Sequence, residues 1–366
     1  MANRVSQYKP DFVSPPGDTL NELLDDLGMT QKELSERMNR PEKTISEIVK
    51  GKASITSDTA IQLEKVFKAP AHFWLQREAR YQESLARIKE YSQLEESIEW
   101  LKTLPLNQMI KYGWVEKYKD QVEQLQEVLK YFAVASVDGW KSLYLNNEPK
   151  AAFRISLSFT NENAAIAAWL RHGDIKAIYN DIPNYDEKKF KQNLSLIRNL
   201  TTNNPSTFKA EIKRLCNECG VNVIFTPMIS KATISGAVRW VGGRPLIQLS
   251  LRGKYNDRFW FTFFHEVGHI LLHSKKDYFL EGTDNEFISQ RIEEKEADEF
   301  SADFLIPKEK LNEFILKRDK SPNAMIRLAK EIGIHSGIVV GQLQNAGYIS
   351  KTYLNDMKVI LNLEMD

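Results

Sequence analysis

The chain has 366 residues, of which 42% are hydrophobic and 27% are charged, and its formal net charge is +1. This length is enough for two or more domains with cores of their own, and the composition is typical of soluble proteins. A net charge near zero excludes long-range steering of the whole chain toward nucleic acid or a membrane. Because the sequence has no signal-peptide core and no run of about 18 apolar residues, we expect a cytoplasmic protein without a membrane partner.

The first 80 residues contain the pattern of a small helical domain. Thr30 followed by Glu33 is a capping box, which predicts a short helix beginning there. Residues 39–42 predict a tight turn that includes a proline suited to the first helical position. A second short helix follows at Lys43–Lys50, and Gly51 closes it. Two short helices joined by a brief turn, with apolar helices on both sides, predict a helix-turn-helix domain.

This region resembles the Cro/repressor-type domain of the HigA antitoxin family. The matching stretches are Leu27–Leu34, Thr44–Ile48, Ile55–Ala60 and Phe73–Leu75. The resemblance covers nearly all of residues 14–80 and implies an all-α, lambda-repressor-like fold. It also implies a homodimer that binds operator DNA, with a palindromic site, and controls its own operon. We therefore predict a DNA-binding domain at residues 1–80.

The second helix of that motif supplies the predicted DNA contacts. In the family's fold Lys43–Lys50 enters the major groove, and side chains of its first turns reach the bases. By position, Glu42, Lys43 and Glu47 would contact bases, whereas Gln31 and Lys50 would contact phosphate. The complete set of predicted DNA-binding residues is Gln31, Arg40, Glu42, Lys43, Thr44, Glu47 and Lys50.

Residues 81–205 are predicted to form a helical linker or sensor region that couples the two ends of the chain. Four segments have helical apolar spacing: Leu106–Tyr112, Lys117–Phe132, Asn163–Arg171 and Tyr185–Leu200. We interpret Trp140, Tyr144 and Trp169 as core aromatics, with stacking on a nucleotide or peptide as the alternative.

Three short strands are predicted next, at Val221–Thr226, Ala237–Trp240 and Pro245–Leu249, with Gly242-Gly243 as a hairpin turn. An extended edge near Leu246–Ser250 would pair with a substrate backbone, unless neighbouring strands protect it.

Four further residues have two interpretations each. Cys216 and Cys219 lack the second pair that a zinc knuckle needs, so we interpret them as packing thiols, with redox or metal function as the alternative. Arg239 would bind either a partner carboxylate or its own fold. His335 would either stabilise an oxyanion or cap a helix.

The strongest chemical motif is His-Glu-x-x-His within Phe264–Ile270. On a helix, His265 and His269 lie one turn apart on the same face. Two imidazoles on one face can bind one zinc ion, and Glu266 between them can polarise a zinc-bound water. His273 lies roughly 12 Å from His265 along a straight helix. We therefore predict that His273 packs or supports a ligand and does not bind the metal itself.

A second helix, predicted within Ile292–Pro307, carries the carboxylates that would complete the site. Glu294 would give a His-His-Glu site that leaves the fourth zinc position for water. Glu296 is the competing third ligand. Asp298 would hold one of the two histidines through its other ring nitrogen.

The region from Gly220 through Pro307 resembles the ImmA/IrrE family of metallopeptidase domains. Besides the two helices, the stretches Ser235–Trp240 and Gln248–Leu251 carry the resemblance, which covers most of residues 206–348. It implies a gluzincin-like fold with a small sheet and Zn²⁺ as the cofactor. The family's zinc ligands fall on His265, His269 and Glu294, and its catalytic glutamate on Glu266. We predict the metallopeptidase domain at 206–310 and a C-terminal helical subdomain at 311–366.

These patterns predict a multidomain fold that is mainly α with one α+β part. The predicted function is a DNA-binding transcriptional regulator or antitoxin with a zinc-dependent endopeptidase domain. It would cleave a repressor, a toxin or itself in response to a signal. The alternative is a non-enzymatic HigA-like antitoxin that represses its operon and neutralises a toxin protein by binding, with a structural or relic metal site.

Overall fold

The structure, a computed structural model, describes residues 13–145, 161–232, 234–250, 252, 254–273, 279–280, 288–362 and 365–366. It divides into two compact units, one ending at Ser97 and the other beginning at Ile98. Both are mainly helical and the second contains a small sheet, which confirms the predicted fold class. Within these ranges, no helix has both the length and the apolar character needed to cross a membrane.

From residue 13 onward, where the structure describes it, the first unit contains five helices. They are α1 (Pro16–Asp26), α2 (Gln31–Met38), α3 (Glu42–Val49), α4 (Ser57–Phe67) and α5 (Ala71–Glu95). As predicted, Thr30 caps α2, since its hydroxyl oxygen accepts a hydrogen bond from the Glu33 backbone N–H at 3.1 Å. Asn39 adopts a left-handed conformation (φ 49°) that turns the chain into α3. Pro41 is the N-cap of α3, one position earlier than predicted.

The core of this unit joins all five helices. Its fully buried side chains include Leu20, Leu34, Ile45, Leu63 and Trp74. Since α1 crosses the end of α3 closely, a Cβ on the first turn of α1, at residue 17, would collide with carbonyl oxygens of α3. The predicted boundary at residue 80 lies inside α5, so the helix continues beyond the predicted domain.

The second unit contains eleven helices and four strands among the described residues. Before the sheet come α6 (Leu106–Lys111), α7 (Gln121–Phe132), α8 (Val137–Leu145), α9 (Asn161–Ile178), α10 (Glu187–Asn199) and α11 (Pro205–Asn217). The strands are β1 (Asn222–Phe225), β2 (Gly236–Val241), β3 (Arg244–Leu249) and β4 (Phe279–Leu280). The remaining helices are α12 (Asn256–Leu272), α13 (Ile288–Leu305), α14 (Lys308–Leu316), α15 (Pro322–Ile332) and α16 (Ser336–Asn345). Short 3₁₀ turns occur at Ile98–Thr103, Leu200–Thr202 and Asn355–Met357.

The sheet has the order β1-β3-β2-β4. The β2–β3 hairpin turns at Gly242 and Gly243, both with positive φ, as the sequence predicted. β1 pairs in parallel with the other side of β3, placing Val223 beside Ile247. Leu246–Ser250 is therefore not an edge that is free to pair with a substrate. β3 has a hydrogen-bonded neighbour on each side, so the alternative in which neighbouring strands protect this stretch applies.

A buried polar network joins α9 to this sheet. The Arg239 side chain is 1% exposed, and its Nε lies 2.7 Å from Oδ1 of Asp174. Its Nη2 donates to the Leu170 carbonyl oxygen at 2.6 Å and to Gln248 Oε1 at 2.7 Å. The Gln248 amide in turn donates to Thr226 Oγ1 at 2.8 Å. Arg239 thus binds its own fold and not a partner carboxylate.

The aromatic and thiol side chains for which the sequence left two interpretations belong to the core. Trp140, Tyr144 and Trp169 are at most 2% exposed, which leaves no open ring face for a ligand. Both Cys216 and Cys219 are buried free thiols, and burial raises the pKa of each. The packing interpretation is confirmed in both cases.

Because His172 on α9 is buried, we expect the stability of the fold to decrease in acid. Its ring stacks on Trp114 at 4.6 Å, and its Nε2 lies 3.2 Å from the Asp366 carbonyl oxygen. Burial lowers the pKa of His172 to about 4. Since the unfolded side chain has a pKa of about 6.5, the unfolded state binds the proton first, and the free energy of unfolding should fall between about pH 6.5 and pH 4. Urea denaturation at pH 7.5 and 5.0 measures this loss.

A His172→Phe variant keeps a ring against Trp114 but has no titrating group there, so its loss of stability between the two pH values should be smaller. The exposed His72 on α5 provides the matched control, and His72→Phe should retain the wild-type loss. An identical loss in His172→Phe and wild type would contradict the assignment.

Candidate functional site

The candidate metal centre lies between α12 and α13, which approach each other closely. Small residues face each other at the crossing, since a Cβ on Gly268 would lie only 3.1 Å from the Cα of Ala297. The Ser301 hydroxyl donates to the Phe261 carbonyl oxygen at 2.8 Å and ties the helices together one turn away. This short separation allows the Glu294 carboxylate on α13 to reach the histidines of α12.

Three side chains converge at this crossing. His265 and His269 are each 2% exposed, and their Nε2 atoms lie 3.0 Å apart. Glu294 places Oε2 3.1 Å from Nε2 of His265 and Oε1 3.3 Å from Nε2 of His269. The sequence left Glu294 and Glu296 as alternatives for the third ligand. The structure brings Glu294 to the histidines.

The donor set fits a zinc ion. Two nitrogens bound to tetrahedral zinc at about 2.0–2.1 Å lie roughly 3.3 Å apart, close to the separations between these three groups. All the ligand atoms lie within 4.8 Å of one another. Two imidazoles and one carboxylate leave a fourth position for water or substrate, which is the composition of catalytic rather than structural zinc sites.

The outer ring nitrogens of both histidines are occupied. Asp298 Oδ1 lies 2.9 Å from Nδ1 of His265, which settles the histidine to which this carboxylate binds. His269 Nδ1 lies 2.9 Å from Nδ1 of His273, whose Nε2 lies 3.0 Å from Oε2 of Glu296. Both histidines therefore turn Nε2 toward the cluster. Glu296 supports His269 through His273 and lies outside the cluster.

The protonation states suit a ligand set. Burial lowers the pKa of His269 to about 4, although the contact with Glu294 acts in the opposite direction, so the imidazole is neutral at pH 7. Burial raises the pKa of Glu294, but its contacts with His265 and His269 outweigh burial and lower the pKa to about 2. A neutral imidazole and an ionised carboxylate are the forms that bind metal ions.

Glu266 is fully buried on the same turn of α12 and lies against the first residue of β2. A Cβ at Gly236 would collide with Glu266 Oε1 and lie 2.8 Å from Cγ2 of Thr262. Only glycine leaves room here for the carboxylate. This role of Gly236 was not predicted from the sequence, although a lone glycine at a strand end is a signal of close approach.

His335 lies away from this centre. Its Nδ1 accepts a hydrogen bond from the Gly337 backbone N–H at 3.0 Å and lies 3.0 Å from Nδ2 of Asn256. Asn256 begins α12, nine residues before His265, or roughly 13 Å along a helix. His335 therefore caps α16, and an oxyanion role is not supported.

The predicted DNA-binding residues occupy α2, α3 and the turn between them. Glu42, Lys43 and Lys50 are exposed, and Gln31, Arg40, Thr44 and Glu47 are partly buried. On α3, the Lys43 Nζ lies 3.8 Å from Glu47 Oε1. Arg40 Nε lies 2.5 Å from Oε1 of Gln62, which ties the turn to α4. Apolar residues of α3 face the core, so its polar face remains at the surface.

The two units together describe a helix-turn-helix domain joined to a domain with a His-Glu-x-x-His helix and a third carboxylate. Comparison with known families agrees, since the helix-turn-helix profile matches residues 20–74 and the IrrE N-terminal-like domain profile matches residues 216–341. The chain therefore carries a helix-turn-helix domain of XRE type and a peptidase-family domain of the ImmA/IrrE group. The predicted fusion of the two domains is confirmed.

Similar proteins share part of the chain. Virulence-associated protein A of Dichelobacter nodosus is 34% identical over 88 residues, which are 24% of this chain and 82% of that protein. The uncharacterized HTH-type transcriptional regulator YddM of Escherichia coli K12 is 35% identical over 60 residues, 16% of this chain and 64% of that protein. Among solved structures, an addiction module antidote protein of a HigA family from Coxiella burnetii is 32% identical, with a TM-score of 0.22, covering 23% of this chain and 92% of that one.

Proposed function

We propose that this protein is a transcriptional regulator whose C-terminal domain is a zinc-dependent endopeptidase. The observation that carries the proposal is the convergence of His265, His269 and Glu294 beside the buried Glu266. We assign DNA binding to residues 1–80, peptide hydrolysis to 206–310, and the coupling and supporting roles to 81–205 and 311–366. The protein would act in the cytoplasm, where operator DNA is accessible.

The residues of the centre have separate roles in this proposal. His265, His269 and Glu294 bind the zinc ion, which when bound supplies Lewis acidity for peptide hydrolysis. Glu266 accepts the proton of the attacking water and passes it to the leaving amine. Asp298 and His273 keep the two imidazoles turned toward the cluster.

The substrate in this proposal is a protein that regulates the same operon, namely a repressor, a toxin or the chain itself. The test is to incubate the purified protein with the products of the neighbouring genes and to follow their masses. Fragments that form with zinc, and not after its chelation, would support the endopeptidase. Intact partners bound in a stable complex would favour neutralisation by binding.

DNA binding is proposed to use the polar face of α3. Glu42, Lys43, Thr44 and Glu47 lie on its first turns, where side chains reach base edges in the major groove. The Gln31 and Lys50 side chains, together with Arg40 in the turn, would reach phosphates. A homodimer would read two half-sites of a palindrome about one helical turn apart.

Contacts to phosphates and contacts to bases should affect DNA binding differently when they are removed. Lys50→Ala should weaken binding to all sequences alike and reduce the slope of log K against log salt by about 1. Glu47→Ala should relax the preference at one base pair by about 1–3 kcal/mol. Binding measured by fluorescence anisotropy on the protein's own promoter and on single-base variants separates them.

Lys65→Ala provides the matched control, because this exposed lysine lies on α4, outside the two helices of the motif. An equal loss of affinity in Lys65→Ala and Lys50→Ala would show that total charge and not the α3 face governs binding, and it would overturn the assignment.

A further inference from the structure

A cavity of about 590 Å³ opens one helical turn from the candidate metal centre. Its lining includes Phe261 and Thr262, which precede His265 and Glu266 by four residues on α12. Residues separated by four positions share one face of a helix. The cavity thus borders the faces of α12 that carry His265 and Glu266, one helical turn away.

The charges around this cavity are mostly positive. Its described lining carries the basic side chains Arg252, Arg258, Lys351 and Lys358, and one acidic side chain, Asp257. Lys358 is committed to the fold, since its Nζ lies 2.6 Å from Asp257 Oδ2 and 2.7 Å from Gln344 Oε1. The Asp257 charge is therefore compensated locally, and the exposed cationic side chains at the rim include Arg258 and Lys351.

The floor of the cavity limits the kind of ligand further. It is apolar, formed by Phe261, Leu305 and Ile338. A peptide offers apolar side chains for this floor and carboxylates for the basic rim.

We propose that this cavity is a substrate subsite that binds an acidic segment of a peptide, with its carboxylates toward Arg258 and Lys351. The proposal deepens, and rests on, the proposed endopeptidase function. The test therefore measures peptide binding and not cleavage. A protein without peptidase activity can then be distinguished from one without the subsite.

The experiment uses the full-length Glu266→Gln protein and fluorescence anisotropy at low salt. The probe is a fluorescein-labelled nonapeptide of leucine, alanine and glutamate, and its counterpart has glutamine at every glutamate position. We expect the glutamate peptide to bind about tenfold more tightly than the glutamine peptide. Arg258→Glu and Lys351→Glu should each weaken its binding by about tenfold, because they replace attraction with repulsion.

Lys330→Glu is the matched control, since it makes the same charge change at an exposed position of α15 outside the cavity lining. It should retain the affinity of the parent protein. Equal affinity for the two peptides, or an equal loss in Lys330→Glu, would overturn the proposal. Displacement of the peptide by a single-stranded oligonucleotide, with a dependence on Arg258, would assign the cavity to nucleic acid and overturn the peptide assignment.

Discussion

Replacing Glu266 by glutamine is expected to lower peptide cleavage by about 10²–10⁴-fold, because the amide keeps the size of the side chain and cannot accept a proton. The buried carboxylate belongs to the second unit, where it lies against Gly236. Zinc content, the urea midpoint and affinity for operator DNA should therefore match the parent protein. Mass spectrometry of a peptide library digested with each protein measures the loss.

Glu299→Gln is the control for this substitution. Glu299 lies on the exposed side of α13, where its Oε1 is 3.7 Å from the Lys295 ammonium. The Glu299→Gln substitution removes the same charge about one helical turn away from the metal ligands, so cleavage should persist. Equal cleavage by Glu266→Gln and the parent protein would remove Glu266 from the reaction and with it the proposed mechanism.

Replacing Arg239 by alanine is expected to cost about 3–5 kcal/mol of unfolding free energy, the usual effect of removing one member of a buried ion pair. Asp174 would lose its partner at 2.7 Å, and the Leu170 carbonyl oxygen and Gln248 would each lose a hydrogen bond. Because this network joins α9 to the sheet, the loss should appear in urea denaturation of the second unit.

The same hairpin offers a matched control at Arg244. Its Nε donates to the Pro183 carbonyl oxygen at 3.0 Å from a more exposed position. Arg244→Ala should cost about 1 kcal/mol or less, the usual contribution of one exposed hydrogen bond. If Arg239→Ala proved as mild as Arg244→Ala, the network would have no special role in joining α9 to the sheet.

Local spacing explains why much of the centre could be predicted. The i, i+4 separation of His265 and His269 fixes two ligands on one face of α12, and the same period places Glu294 and Asp298 together on α13. The capping box at Thr30 is likewise a local signal. Each of these depends on residues within one or two helical turns.

The features that sequence analysis missed depend on long-range contacts. The central place of β3 arises because β1, more than twenty residues earlier, pairs with it in parallel. Gly236 is required because Glu266, thirty residues later, lies against it. Glu296 contacts His273. The helical period alone could not show whether Glu296 binds the metal directly or supports one of its ligands. Only the packing of whole elements sets these contacts.

The most direct test of the account is elemental analysis of the purified protein beside three variants. The predicted result is about one zinc per chain in the parent and in Glu299→Ala, and loss of zinc in His269→Ala and Glu294→Ala, with circular dichroism showing that all four remain folded. A parent protein without zinc after reconstitution, or a Glu294→Ala variant that keeps all of it, would contradict the account and favour a regulator that acts by binding alone.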